Sequence, residues 1–186
     1  MFTRQLHLIT LALVLGAGTA LAQGDGQQST RGGSVALKPS LTPLVASHDA
    51  LAERYRGLTA AATGATAKAA DRQALARFVR TAIVPRLTIE SFTLFTAFDS
   101  IVGGGYAVPA TLFDLDAIAL LVKEIEHVAG AGDRIAFETR NHALSWALDG
   151  YFTKVHQLVL PVLNSRLSGT ALSAVVHRLD AERATP

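Results

Sequence analysis

The stretch Ile83-Val84-Pro85-Arg86-Leu87-Thr88-Ile89-Glu90-Ser91-Phe92-Thr93-Leu94-Phe95-Thr96-Ala97 is an apolar run in mid-chain with one arginine and one glutamate set into it. A helix advances about 100° per residue, so Arg86 and Glu90 stand one turn apart on one face, among aliphatic and aromatic neighbours. Desolvating two charges is costly, so an ion pair on such a face needs a reason.

Working outward from this run, the apolar positions Leu75, Phe78, Val79, Ala82, Ile83, Leu87, Leu94 and Phe98 follow the same helical face, with Asp71 placed to cap its start. Pro85 predicts a kink and not an end, because the pattern resumes at once. Gly103-Gly104-Gly105 breaks the chain. A phosphate-cradling loop requires a preceding strand and a basic or hydroxyl residue after the glycines; here a helix precedes and Tyr106-Ala107-Val108-Pro109 follows, which predicts a turn. Upstream, Pro43 suits a first helical turn, and Leu44, Val45, His48, Leu51, Ala52, Tyr55 and Leu58 recur at three and four residues. An Ala/Thr/Gly stretch from Thr59 to Thr66 reads as the connection.

Downstream, the spacing predicts a helix from Pro109 to about Val128, apolar at Leu112, Leu115, Ile118, Ala119 and Val122, and closed by Gly130-Ala131-Gly132. Asp133 then caps a last long helix reaching about Leu167, with Phe137, Leu144, Trp146, Leu148, Tyr151, Val155, Leu158 and Val162 as its large apolar members and an interruption at Pro161. Ser168-Gly169-Thr170 stops it, and an amphipathic segment from Ala171 to Arg183 follows. No alternating strand pattern competes. The expectation is an all-α fold: an up-down-up-down four-helix bundle over residues 41–167, with a short extra helix in the tail 168–186.

At 186 residues, 49% of them apolar, the chain suffices for one core and not for two. Its formal charge of +2 is spread without a basic run, so neither nucleic acid nor an anionic membrane surface is implied as a partner. With no cysteine, disulfides, thiolate metal sites, cysteine nucleophiles and cysteine lipidation are excluded. Arg4, the apolar stretch Leu8 to Ala17 and Ala20-Leu21-Ala22 read as a secretory signal peptide over residues 1–22. The apolar stretch falls short of the ~20 residues that a spanning helix needs, so a cleaved signal is favoured over an anchor. The protein is thus expected in the periplasm or secreted, with no stable membrane anchor. Residues 23–40, rich in Gly, Gln and Ser, are expected as a disordered leader.

With the helices in this order, several residues carry a family resemblance. A first helix with one inward histidine (His48-Asp49), a second reading Pro85-Arg86-Leu87-Thr88-Ile89-Glu90, a third with Asp114-Leu115, and a fourth reading Tyr151-Phe152-Thr153-Lys154-Val155-His156 into Leu160-Pro161-Val162-Leu163 resemble the hemerythrin-like (HHE cation-binding) domain. The likeness spans Leu41 to Leu167. The family holds two irons between its four helices and uses them to bind or sense dioxygen or nitric oxide, or to store or detoxify iron. By this resemblance, His48 and Glu90 match ligand positions. Arg86 stands where the family has histidine, and Leu115 likewise. Tyr151 and Val155 stand for histidine and glutamate, and Thr96 for a frequent proline. In the variant with a carboxylate five residues after the fourth helix's histidine, that position is His156.

A di-iron centre needs several anionic oxygens and imidazoles, which leucine and valine cannot supply. Arginine keeps its charge and brings it to where iron would sit. If Arg86 points inward it replaces the cation, pairing with Glu90 beside His48 and Tyr151. Three readings follow: ordinary bundle residues with no site; a mononuclear iron site of His48, Glu90 and His156; or a remodelled cavity that takes a small ligand or a protein partner. Against the iron site, His156 lies roughly 120° round its helix from the Tyr151/Val155 face.

The remaining polar residues read as structural. Glu138 and His142 form a solvated helix pair, because His142 falls roughly 180° from Tyr151. Glu124, Glu126 and His127 read as a charged helix end, and His177 as exposed. Trp146, Phe137 and Phe152 read as core or bundle rim. No serine in a helix has an evident base at productive spacing, so the reading leans away from an enzyme. An enzyme of unrelated chemistry stands third, behind a binding module and an iron protein. The expected function is a binding, sensing or structural module with di-iron binding lost or reduced.

Overall fold

The computed structural model describes residues 36–184; the expected signal peptide and residues 23–35 of the leader lie outside them. The described residues contain no strand. Five helices follow one another: α1 (Thr42–Thr63), α2 (69–102), α3 (Ala107–Ala131), α4 (134–166) and α5 (Gly169–Ala184), with a short 3-10 turn at Pro39–Leu41. The all-helical expectation holds.

Helix boundaries differ from the periodicity in ways that local chemistry explains. Helix α1 runs past Leu58 to Thr63 before Gly64 leaves it, because the Ala-rich stretch read as a connection is made of good helix formers and buries Ala62. Asp71 is not the residue that precedes α2. It lies inside the first turn, where its Oδ2 accepts the backbone N–H of Lys68 at 2.8 Å. Helix α3 begins at Ala107 because Asp99, at the end of α2, reaches across the triple-glycine turn and accepts the N–H groups of Ala107 (3.0 Å) and Val108 (3.1 Å). In that turn φ is 78°, 93° and 64° at Gly103, Gly104 and Gly105, a region that side chains disfavour. Asp133 caps α4 as expected, accepting the Ala136 N–H at 2.9 Å.

Neither proline breaks its helix. A proline ring clashes with the carbonyl four residues back and offers no N–H. Both long helices meet this with a wide π turn just upstream. At Val79–Ile83 the Val84 N–H bonds to the Val79 carbonyl, and at Val155–Val159 the Leu160 N–H bonds to the Val155 carbonyl. A third wide turn, Ser91–Phe95, has no proline. There Ser91 Oγ bonds back to the Leu87 carbonyl at 2.7 Å, a contact that perturbs helix geometry.

Helix α1 packs on α2, α2 on α3 and α3 on α4, α4 returns to α1, and α5 lies along α2. The core takes Leu75, Ile83, Leu87, Leu94 and Phe95 from α2, Leu115, Ile118 and Ile125 from α3, and Phe137, Leu144, Leu148, Tyr151 and Val155 from α4. Trp146 and Leu158, expected among the large apolar members of α4, are instead 74% and 49% exposed. Trp146 is two residues, about 200°, round from Leu144, so the face that buries Leu144 and Leu148 turns it to solvent. The last part of the expected leader is also pinned down. Lys38 N–H bonds to Asn164 Oδ1 at 2.8 Å, Asn164 Nδ2 to the Ala36 carbonyl at 3.3 Å, and Lys38 Nζ to the Leu167 carbonyl at 2.6 Å. The packed body thus begins before residue 41.

Candidate functional site

His48 from α1, Glu90 from α2 and His156 from α4 meet in one chain of contacts. His48 Nε2 is 2.9 Å from both oxygens of Glu90, and His48 Nδ1 is 2.9 Å from His156 Nε2. His48 and Glu90 are 1% and 0% exposed, while His156 is half-buried. Arg86 closes the other end: its Nε donates to Glu90 Oε1 at 2.7 Å across one turn of α2, and its Nη1 donates to Ser47 Oγ. The third guanidinium nitrogen, Nη2, is buried with no hydrogen-bond acceptor among the described residues.

His156 takes part despite its position round α4. It lies on the side of α4 that carries Asp149 and Phe152 and faces Ala52 and Asp49 of α1. Its ring lies nearly parallel to that of His48, with an interplanar angle of 19° and centroids 5.1 Å apart. Phe152, one turn earlier, tilts onto His48 at 5.2 Å. Tyr151 is buried with its hydroxyl 3.4 Å from Glu90 Oε2 and 3.4 Å from the Leu87 carbonyl, both long contacts. Leu115 and Val155, which stand at ligand positions by the resemblance, are buried members of the hydrocarbon core. Asp114, next to Leu115, is turned to an ion pair with Lys154.

Protons in this chain follow from its geometry. A carboxylate only accepts, so His48 Nε2 carries its hydrogen toward Glu90. One hydrogen remains between His48 Nδ1 and His156 Nε2. It belongs to His156 when His48 is neutral and to His48 when His48 is a cation. Both rings cannot be cations at this distance, because two N–H groups would then face each other. Burial alone would raise the Glu90 carboxyl, but the hydrogen bond and charge of His48, with the Arg86 guanidinium, outweigh it and hold the carboxyl below its ordinary value. Burial and the facing His48 depress His156. Burial, followed by the Glu90 carboxylate, pushes the Tyr151 phenol well up, so it stays a donor.

This donor set does not fit a di-iron centre. Both oxygens of Glu90 are engaged by His48, one also by Arg86 and the other by Tyr151, and a fixed positive charge stands 2.7 Å away. A single ion held by His48, Glu90 and His156 meets a different obstacle. Glu90 faces one ring nitrogen of His48 and His156 faces the other, so the three do not converge on a point. Among the described residues, no group of three His, Asp or Glu side chains is arranged to hold a metal ion.

The other candidate residues stand apart from this cluster. Glu138 pairs with Arg134 at 2.6 Å and not with His142, which is exposed. Glu124 pairs with Arg140 at 3.2 Å and Glu126 with Arg80 at 3.1 Å, while His127 and His177 are exposed. Sequence reasoning missed Ser47 and a second buried polar contact, in which Tyr55 Oη bonds to Asn141 Oδ1 at 3.0 Å and meets Ser145 Oγ at 2.9 Å. Asn141 falls on the Phe137/Leu144/Leu148 face of α4, and a polar residue on an apolar face is the signal that marks it. Between α1 and α4 lie two cavities of about 280 Å³ each, which share Ala52, Asp149 and Phe152.

Compared with known proteins, the chain matches no family model, no curated protein and no solved structure.

Proposed function

We propose that the chain is an exported, hemerythrin-like up-down-up-down four-helix bundle in which an internal arginine has taken the place of the metal cations, and that it acts as a binding or sensing module. The observation that carries this is the Arg86–Glu90 contact, with the same carboxylate held by His48. Within a bundle built to hold cations, the guanidinium supplies the counter-charge that Glu90 needs, and it does so without a ligand sphere. The cyclic packing order, α1 on α2 on α3 on α4 and back to α1, supports the bundle reading. The signal-like start of the chain supports export.

The second reading is an iron protein that binds iron, dioxygen or nitric oxide through His48, Glu90 and His156. It is favoured by the contiguity of these three residues and by their two-histidine, one-carboxylate composition. Metal analysis of protein purified after expression in iron-rich medium separates the two. The arginine-substituted bundle carries far less than one iron per chain. Stoichiometric iron with an oxo-bridge absorption band would overturn it.

A further inference from the structure

The two cavities between α1 and α4 form one groove with two chemically different ends. The first takes hydrocarbon from Ala52, Ile83, Leu148 and Phe152, with Arg56 and Asp149 at its edge. The second holds Asp49 and Asp149 with the rings of His48 and His156, and no lysine or arginine lines it. Asp49 and Asp149 are exposed and enter no ion pair with a described residue. Two unpaired carboxylates beside an apolar slot complement an ammonium group on a hydrocarbon stem.

We infer that this groove binds a small amphipathic amine, its apolar body over Ala52, Ile83, Leu148 and Phe152 and its protonated amine between Asp49 and Asp149. The inference rests on the reading of the chain as a binding bundle and names the ligand class. A cavity of about 280 Å³ sits at the lower end of the volumes that enclose small organic ligands. Phe152 lines both cavities, so one ring bounds the stem and the amine alike. Arg56 lines only the apolar cavity, away from the histidine end, so an anionic head gains nothing in the second cavity.

The test is calorimetric titration of the purified chain with 2-phenylethylamine, 2-phenylethanol and 3-phenylpropionate, three probes of similar body and different head. The amine is expected to bind at least tenfold more tightly than the alcohol, with no measurable heat from the carboxylate. Asp149→Asn, a surface change that leaves the fold intact, is expected to weaken the amine at least tenfold, and Ala52→Phe to abolish binding by filling the slot. Equal binding of the alcohol, tighter binding of the carboxylate, an unchanged Asp149→Asn affinity or the absence of amine binding would each overturn the inference. A protein that fails these titrations yet is purified without iron loses the ligand assignment and keeps the arginine-for-metal reading. One that carries stoichiometric iron loses that reading whatever the titrations give.

Discussion

His48 Nε2 lies 2.9 Å from both carboxylate oxygens of Glu90, with neither side chain more than 1% exposed. A buried carboxylate is tolerated only when its charge is met, and here a histidine N–H from α1 and the Arg86 guanidinium from the same helix meet it together. Helices α1 and α2 are thus joined through a single anion.

Removing the guanidinium strands that anion. Arg86→Met is expected to cost on the order of 3 kcal/mol in urea unfolding at neutral pH. Replacing the group as a whole behaves differently. Arg86→Met combined with Glu90→Leu and His48→Leu is expected to be no less stable than Arg86→Met alone, because the desolvation penalty leaves with the charges. A triple variant far below the single one would show that the polar chain is itself the main source of stability.

Stability should fall with acid in two windows. His156 is depressed in the folded state, so the unfolded chain binds more protons below its ordinary 6.5, and stability declines as pH falls through that value. Glu90 is likewise lowered, so the contribution of its charge is complete above its ordinary 4.5 and is lost as pH falls below that value. Unfolding free energies measured from pH 8 to pH 3 test both. His156→Gln should flatten the upper limb and Glu90→Gln the lower one, and a profile unaltered by either variant would contradict the proton arrangement.

Tyr151 should matter for its ring more than for its hydroxyl. Its hydrogen bonds are 3.4 Å long, while the ring is buried and packs on Phe95 with centroids 6.1 Å apart. Tyr151→Phe is expected to cost about 1 kcal/mol or less, and Tyr151→Ala about 3–5 kcal/mol, by chemical denaturation.

Trp146, the chain's one tryptophan, is exposed. Its emission should therefore already be solvent-like in the native protein and shift little on unfolding. Trp146→Gln should change stability by less than about 0.5 kcal/mol, whereas Leu148→Ala, two residues on and buried, should cost about 2–5 kcal/mol.

The legible part of the sequence was the part governed by period. Leu75 to Phe98 and Phe137 to Val155 showed their buried faces, and Asp133 announced the start of α4, because helix geometry and capping act over a few residues. The Arg86–Glu90 pair was legible for the same reason. What depended on distant chain was not. Asp99 capping α3 across a glycine turn, Asn164 holding the segment before α1, and Ser47 receiving Arg86 are contacts between residues that no local pattern links. His156 meets His48 although it stands off the Tyr151/Val155 face, because the side of α4 that carries Asp149, Phe152 and His156 faces α1, and which side of a helix meets which neighbour is not written in its period. Of the two places open to Trp146, core or rim, its angle of about 200° from Leu144 selects the solvent side.

On the proposed reading Arg86 stands in for metal at a carboxylate that His48 also holds, with His156 bonded to His48. Long-range ¹H–¹⁵N spectra of the imidazoles, recorded at neutral pH before and after one equivalent of Fe²⁺ under anaerobic conditions, test this most directly. The expected result is a His48 Nε2 that carries its proton and His48 and His156 signals that the iron leaves in place. Disappearance of both sets of signals with one iron retained per chain would contradict it.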